Sequence, residues 1–92
     1  MEVYVLRSLR DGKRYVGISS DSDVRLVEHN SGKVFSTKGR RPFVLTYREY
    51  TVDVAKARQR ERFFKTAVGR RFLDEVEKPL WRSYLAKNNS RL

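Results

Sequence analysis

The chain has 92 residues, with 21 Lys and Arg against 11 Asp and Glu, and no cysteine. That length fits one small domain spanning 1–92, and the missing thiols exclude disulfides and thiolate metal sites. No run of about 18 apolar residues occurs, so no spanning helix is expected. Glu2 stands where an export signal needs a basic lead, and a cytoplasmic address is the default expectation. A net charge of +10 favours a polyanionic partner. Nucleic acid comes before an anionic membrane, because no long basic amphipathic helix with a Trp or Leu face is present.

Residues 2–8 and 14–18 are rich in β-branched and aromatic side chains, and Asp11-Gly12 between them is a hairpin-turn dipeptide. Ser19 to Asp23 is a cluster of N-cap residues, and Gly32 stands where a helix C-cap belongs, so a helix of two to three turns is expected between them. Residues 33–42 form a basic loop carrying Lys33, Lys38, Arg40 and Arg41, which ends at Pro42. Phe43 to Tyr50 reads as a third strand. Thr51-Val52-Asp53 caps a second helix, expected over about Val54 to Val68 and interrupted by Gly69. A further helical stretch over 70–77 is expected to end before Pro79, with a last short helix from there through Lys87 and a frayed tail over 88–92. The order β-β-α-β-α-α makes an α+β domain.

On a helical wheel of the second helix, Val54, Ala57, Phe64 and Val68 share a stripe, and Glu61 falls inside it. A carboxylate on an inward stripe is costly unless it is paired or bound to a cation. One reading is an ion pair with Lys65, four residues on; the other is a bound cation. In the first helix, Arg25 and His29 share a face that flanks Val24 and Val27. Such a pair either lies in solvent or holds a phosphate and handles a proton. Tyr4 and Tyr15 sit on the two hairpin strands, either packing against a helix or facing a site. Gly17 next to them allows close approach of a backbone or ligand. No multi-carboxylate or His-rich cluster exists, which argues against zinc.

Taken together, Val3-Tyr4-Val5, Tyr15-Val16-Gly17, Arg25-x-x-x-His29-Asn30-x-Gly32 and Arg60-Glu61-x-x-x-Lys65 resemble the GIY-YIG nuclease family. That family includes the N-terminal nuclease domain of the bacterial excinuclease and many stand-alone domains of about this size. The resemblance covers roughly residues 2–75 and leaves 76–92 as a helical extension and tail. The first motif lacks the glycine of the family name, and Val16 replaces an isoleucine. Members can carry an Asn beyond the acidic residue; Asn88 and Asn89 are available but do not align.

The resemblance implies a small three-stranded antiparallel sheet flanked by helices, and a metal-dependent endonuclease acting on DNA in preference to RNA, with a place in repair or recombination. The alternative it leaves is an inactive module that grips nucleic acid. By the same resemblance, Glu61 is the one protein ligand of Mg²⁺ (or Mn²⁺), an ion that keeps several waters and takes phosphate oxygens. Arg25 offsets charge growing on the phosphate, Tyr4 activates the attacking water with His29 to accept or relay the proton, and Tyr15 positions water or phosphate. Tyr4 would need nearby cations to act as a base. Lys33, Lys38, Arg40 and Arg41 contact flanking phosphates, and a partner protein supplies specificity. Tyr4, Tyr15, Arg25, His29 and Glu61 are expected to converge on one concave surface, with Glu61 on the same side of the sheet as Arg25.

Overall fold

The computed structural model describes residues 1–89; residues 90–92, the end of the tail expected to fray, lie outside the described residues. The elements are β1 (Glu2–Ser8), β2 (Arg14–Ser19), α1 (Ser22–Ser31), β3 (Phe43–Tyr50), α2 (Val54–Phe64) and α3 (Ala67–Asn89). A 3₁₀ helix over Phe35–Arg40 gives the basic loop a fixed shape. The sheet is antiparallel with order β2-β1-β3, so β1 is central and β2 and β3 each have a free edge.

Because β1 is covered on both faces, Val3, Tyr4, Val5 and Leu6 are all buried. Alternation along the strand sends Val3 and Val5 to Ala57, Phe64 and Leu73 of α2 and α3. Tyr4 and Leu6 face the other way, towards Phe43, Tyr15 and Leu26 of α1. The helices therefore form two layers, α1 on one face and α2 with α3 on the other. Each fully buried aliphatic side chain contributes about 1.5–3 kcal/mol to holding these layers. β3 carries a bulge where Val5 pairs with Tyr47 but Leu6 pairs with Leu45. Thr46 is the extra residue, and the bulge lets Leu45 and Tyr47 serve opposite layers.

Local signals place the turns and caps as expected. Gly12 has φ 74° at the hairpin turn, and Gly32 closes α1 at φ 86°. Asp21 caps α1 by accepting from the Val24 amide at 3.1 Å, and Asp53 caps α2 by accepting from Lys56 at 2.8 Å. Glu2 adds a tie from β1, accepting from both the amide and the hydroxyl of Ser22, which hold its carboxyl below the usual range.

The C-terminal helices differ from expectation. The second helix stops at Phe64, because Thr66 donates its hydroxyl to Phe63 O and accepts from the Gly69 amide, ending one helix and opening the next. Gly69 interrupts nothing. It lies inside α3 where that helix abuts the last turn of α2, and a Cβ there would sit 1.9 Å from Phe63 O. α3 then runs unbroken through Pro79. Side chains on both sides of the proline pin the helix to the sheet: Glu77 to Arg7, Arg14 and Thr46, and Trp81 beneath the Arg7 guanidinium at 4.4 Å. The carbonyl that Pro79 leaves without a helical donor belongs to Glu75, an exposed residue of α3.

Candidate active site

On the α1 face of the sheet, strand register brings the two tyrosines together. Tyr4 pairs with Gly17 and Leu6 with Tyr15, so both rings project from the same face, with centroids 6.2 Å apart. Gly17 has a steric reason to be glycine, because a Cβ there would lie 2.6 Å from the Tyr4 hydroxyl oxygen and from Cζ. The tyrosine crosses β2 through the space the missing side chain leaves.

The burial of α1 decides between the two readings of the Arg25–His29 face, turning His29 inward. Ser22 and His29 are buried while Val24 and Val27 are 53% and 68% exposed. The inward stripe is Ser22, Leu26 and His29, and it is polar because Glu2 receives Ser22 and a pocket of aromatics receives His29. The imidazole is fully buried, with Tyr15 at 4.6 Å and Phe43 at 6.1 Å between centroids. Its Nε2 lies 3.2 Å from the Tyr4 hydroxyl and its Nδ1 lies 2.8 Å from Thr37 Oγ1. Burial first, and the Arg25 charge second, hold His29 below its ordinary pKa, so it stands as a neutral base. Arg25, on the flank of α1, donates to the Tyr4 hydroxyl at 3.5 Å and is steadied by Glu28 at 3.4 Å. Asn30 locks α1 to β3, donating to Phe43 O and accepting from Phe43 N.

Tyr4 does not have the lowered pKa that a free phenolate base would need. Burial raises it, and the Arg25 hydrogen bond only partly opposes this. Tyr4 and His29 lie inside, while Tyr15 and Arg25 are only part-buried and face outward. The four residues make a graded site with a cation at its mouth and a proton acceptor at its base.

Glu61 does not share that face. It belongs to α2, in the layer opposite α1, and its carboxylate lies 3.6 Å from Lys65, four residues on. Of its expected apolar stripe, Ala57 and Phe64 are buried, whereas Val54 is 42% exposed and Val68 falls in α3. Arg60 leans towards β3, where it pairs with Glu49 at 2.7 Å. One residue on is about 100° of helical rotation. Glu61 therefore turns away from the Arg60 flank of α2, with its side chain 23% exposed.

The basic loop divides. Arg40 is held by Asp11 at 2.8 Å, donates to Arg14 O and lies over Phe43, and Arg41 donates to Lys38 O at 2.7 Å. These two arginines hold the loop in place; the exposed cations are Lys33 and Lys38. Nothing local in the sequence marks Thr37 or Glu28 as partners of the site. Thr37 lies eight residues beyond His29 in a loop with no periodicity, so no local pattern could link them.

The chain matches the model of the GIY-YIG catalytic domain over residues 1–73. The chain belongs to the GIY-YIG family. The two segments that carry the resemblance, around Tyr4 and Tyr15-x-Gly17, pair as neighbouring strands within the matched range. Among its relatives, a UPF0213 protein of Bacillus pumilus is 44% identical over 64 residues, which are 68% of this chain and 64% of that protein. A UPF0213 protein of Staphylococcus epidermidis is 38% identical over 70% of this chain and 78% of its own length. One from Staphylococcus haemolyticus is 34% identical over 82% of this chain and 92% of its own. No solved structure matches the chain. GIY-YIG domains are generally nucleases, typically using divalent metals, so the fold is of nuclease type and implies a nucleic-acid substrate. Among the described residues, no helix is long and apolar enough to cross a membrane.

Proposed function

We propose that this protein is a metal-dependent endonuclease that hydrolyses a phosphodiester bond, in DNA before RNA. The observation that carries the reading is the graded cluster of Arg25, Tyr4 and His29, a cation beside a hydroxyl that is itself hydrogen-bonded to a buried neutral base.

Among the described residues, no three His, Asp or Glu gather as a metal cage. The donor set suits an ion that takes most of its ligands from water and phosphate, which is the chemistry of Mg²⁺ or Mn²⁺. Glu61 is the acid that would hold it. Its ion-pair partner is Lys65, whose side chain is 59% exposed and can be displaced at little cost. A bound divalent ion would polarise the phosphoryl group.

The protein's own groups do the rest. Arg25 meets the phosphate at the mouth and offsets the charge that grows on its oxygens. The attacking water gives a proton to the Tyr4 oxygen as Tyr4 gives its own to Nε2 of His29. Tyr4 is thus a relay, and its raised pKa is tolerable because it never has to persist as a phenolate. The resulting hydroxide bonds to phosphorus, and the leaving oxygen departs with the bonding pair and takes a proton from bulk water. Tyr15 orients the water or a phosphate oxygen. Lys33 and Lys38 contact neighbouring phosphates.

Labelled single-stranded, duplex and branched DNA, incubated with pure protein in Mg²⁺, Mn²⁺ or EDTA, test the reading. Cleavage that EDTA abolishes and that Glu61→Ala removes from a folded protein is expected. DNA binding without cleavage under every condition would leave the inactive-module reading in its place.

A further inference from the structure

We infer that Thr37 is a positioning residue that fixes His29 as the Nδ1–H tautomer and so makes Nε2 the proton acceptor of the site. The chemical meaning of the inference rests on the nuclease reading above, whereas the tautomer itself does not.

A neutral imidazole carries one N–H, and both ring nitrogens of His29 have a hydroxyl partner, so geometry at the ring alone allows two orientations. The ends of the chain of hydrogen bonds decide between them. At one end Arg25 Nε lies 3.5 Å from the Tyr4 oxygen, and a guanidinium can only donate. At the other, Thr37 Oγ1 lies 3.3 Å from Val34 O, and a carbonyl can only accept. In one orientation every member donates once and accepts once: Arg25 to Tyr4, Tyr4 to Nε2, Nδ1–H to Thr37, Thr37 to Val34. Reversing it would take Nε2 away as the acceptor of the buried Tyr4 hydroxyl proton and turn the Thr37 hydroxyl from Val34 O, which would keep only the Thr37 amide at 3.1 Å. Hydrogen bonds aligned head to tail also polarise one another, which favours the unidirectional chain.

The groups facing the ring agree with this direction. Tyr4 of β1, Tyr15 of β2 and Phe43 of β3 surround it with aromatic surface, and Thr37 comes from the 3₁₀ helix. On its own helix, Arg25 opposes a second positive charge and Glu28 favours it. When Nε2 takes the Tyr4 proton, the bond from Nδ1–H to Thr37 persists, so the imidazolium forms without reorganising its inner partner. The fold makes this possible by placing Thr37 on the inward side of the 3₁₀ helix, 1% exposed, while Phe35 two residues earlier is 93% exposed.

His29 is the sole histidine, so ¹⁵N-labelled protein gives one pair of imidazole nitrogen resonances. Above the His29 pKa, the expected spectrum shows Nδ1 protonated and Nε2 bare. Thr37→Val should shift the pattern towards Nε2–H and lower kcat about ten-fold or more with KM little changed. Thr37→Ser should restore both. A parent spectrum with Nε2 protonated overturns the inference whatever the variants do, as does a Thr37→Val spectrum identical to the parent. An Nδ1–H spectrum in a protein that cuts no DNA upholds the inference and removes the nuclease reading instead.

Discussion

The hydroxyl of Tyr4 lies 3.2 Å from Nε2 of His29, across 25 residues of sequence, with both side chains buried. A buried hydroxyl against a buried neutral base is a pair in which neither partner can be altered without cost to the other. Tyr4→Phe removes the proton relay and leaves Nε2 without its donor. The single-turnover rate should fall about 10²–10⁴-fold. Stability should fall by about 1–3 kcal/mol. DNA affinity measured in EDTA should stay close to that of the parent. A variant that cuts at the normal rate would take the relay away from Tyr4.

The titration of His29 gives a pH dependence with a defined sign. The folded pKa lies below the unfolded value near 6.5, because burial and then Arg25 disfavour the charged ring. As pH falls below 6.5 the unfolded chain takes up a proton that the folded protein does not, so stability declines from there down to the folded pKa. Activity should hold over the same interval, because the base stays neutral in the fold, and then drop on an acid limb below pH 6.5. A second loss of stability follows at lower pH. The Arg40 hydrogen bond, then the Lys13 amide, lower Asp11 from 3.8 to about 2, so the tie between hairpin tip and basic loop is lost between those values. Thermal midpoints collected from pH 8 to pH 2 check both windows, and an acid limb centred above pH 6.5 would contradict the assignment of His29 as base.

Gly17 should tolerate no side chain. The Cβ of Gly17→Ala would meet the Tyr4 ring and hydroxyl at 2.6 Å, and the ring is too closely packed to swing away. A destabilisation of about 1–3 kcal/mol is expected from overpacking. The rate should fall further than stability explains, since displacing the hydroxyl breaks its contacts with Arg25 and His29 together. Adding Tyr4→Phe to Gly17→Ala should then lower the rate little more than either change alone, which a double-mutant cycle reads directly.

The basic loop should separate into binding and structural cations. Lys33→Ala with Lys38→Ala is expected to lower DNA affinity for all sequences and to reduce the slope of log affinity against log salt by about 1.8 on duplex DNA or about 1.4 on single strands. Arg40→Ala should act mainly on stability, because its guanidinium is held by Asp11 and the Arg14 carbonyl and lies over Phe43. An unchanged salt slope in the lysine pair would remove the loop from the binding surface.

Much of this protein is written locally in its sequence. The hairpin at Asp11-Gly12, the caps at Asp21, Gly32 and Asp53, and the third strand at Phe43–Tyr50 all follow from groups that act within a few residues of themselves. The spacing of Tyr4, Tyr15-x-Gly17 and Arg25-x-x-x-His29 points to the family, and the convergence of the two tyrosines on one face follows from hairpin register. Tertiary contacts decided which side of each helix turns inward. Val24 and Val27 lost the interior to Ser22 and His29, because a buried polar group is stable only where a distant partner meets it, and Glu2, Tyr4 and Thr37 are those partners. The same holds for Glu77, a buried acid that reads as an ordinary helix-surface residue until Arg7 and Arg14 arrive from the hairpin, and for the helix that continues through Pro79 on the strength of that anchor. Glu61 shows the limit from the other direction. Periodicity sets it beside Ala57 and Phe64 on α2, but which face of the sheet α2 covers depends on chain crossovers that no window of sequence contains.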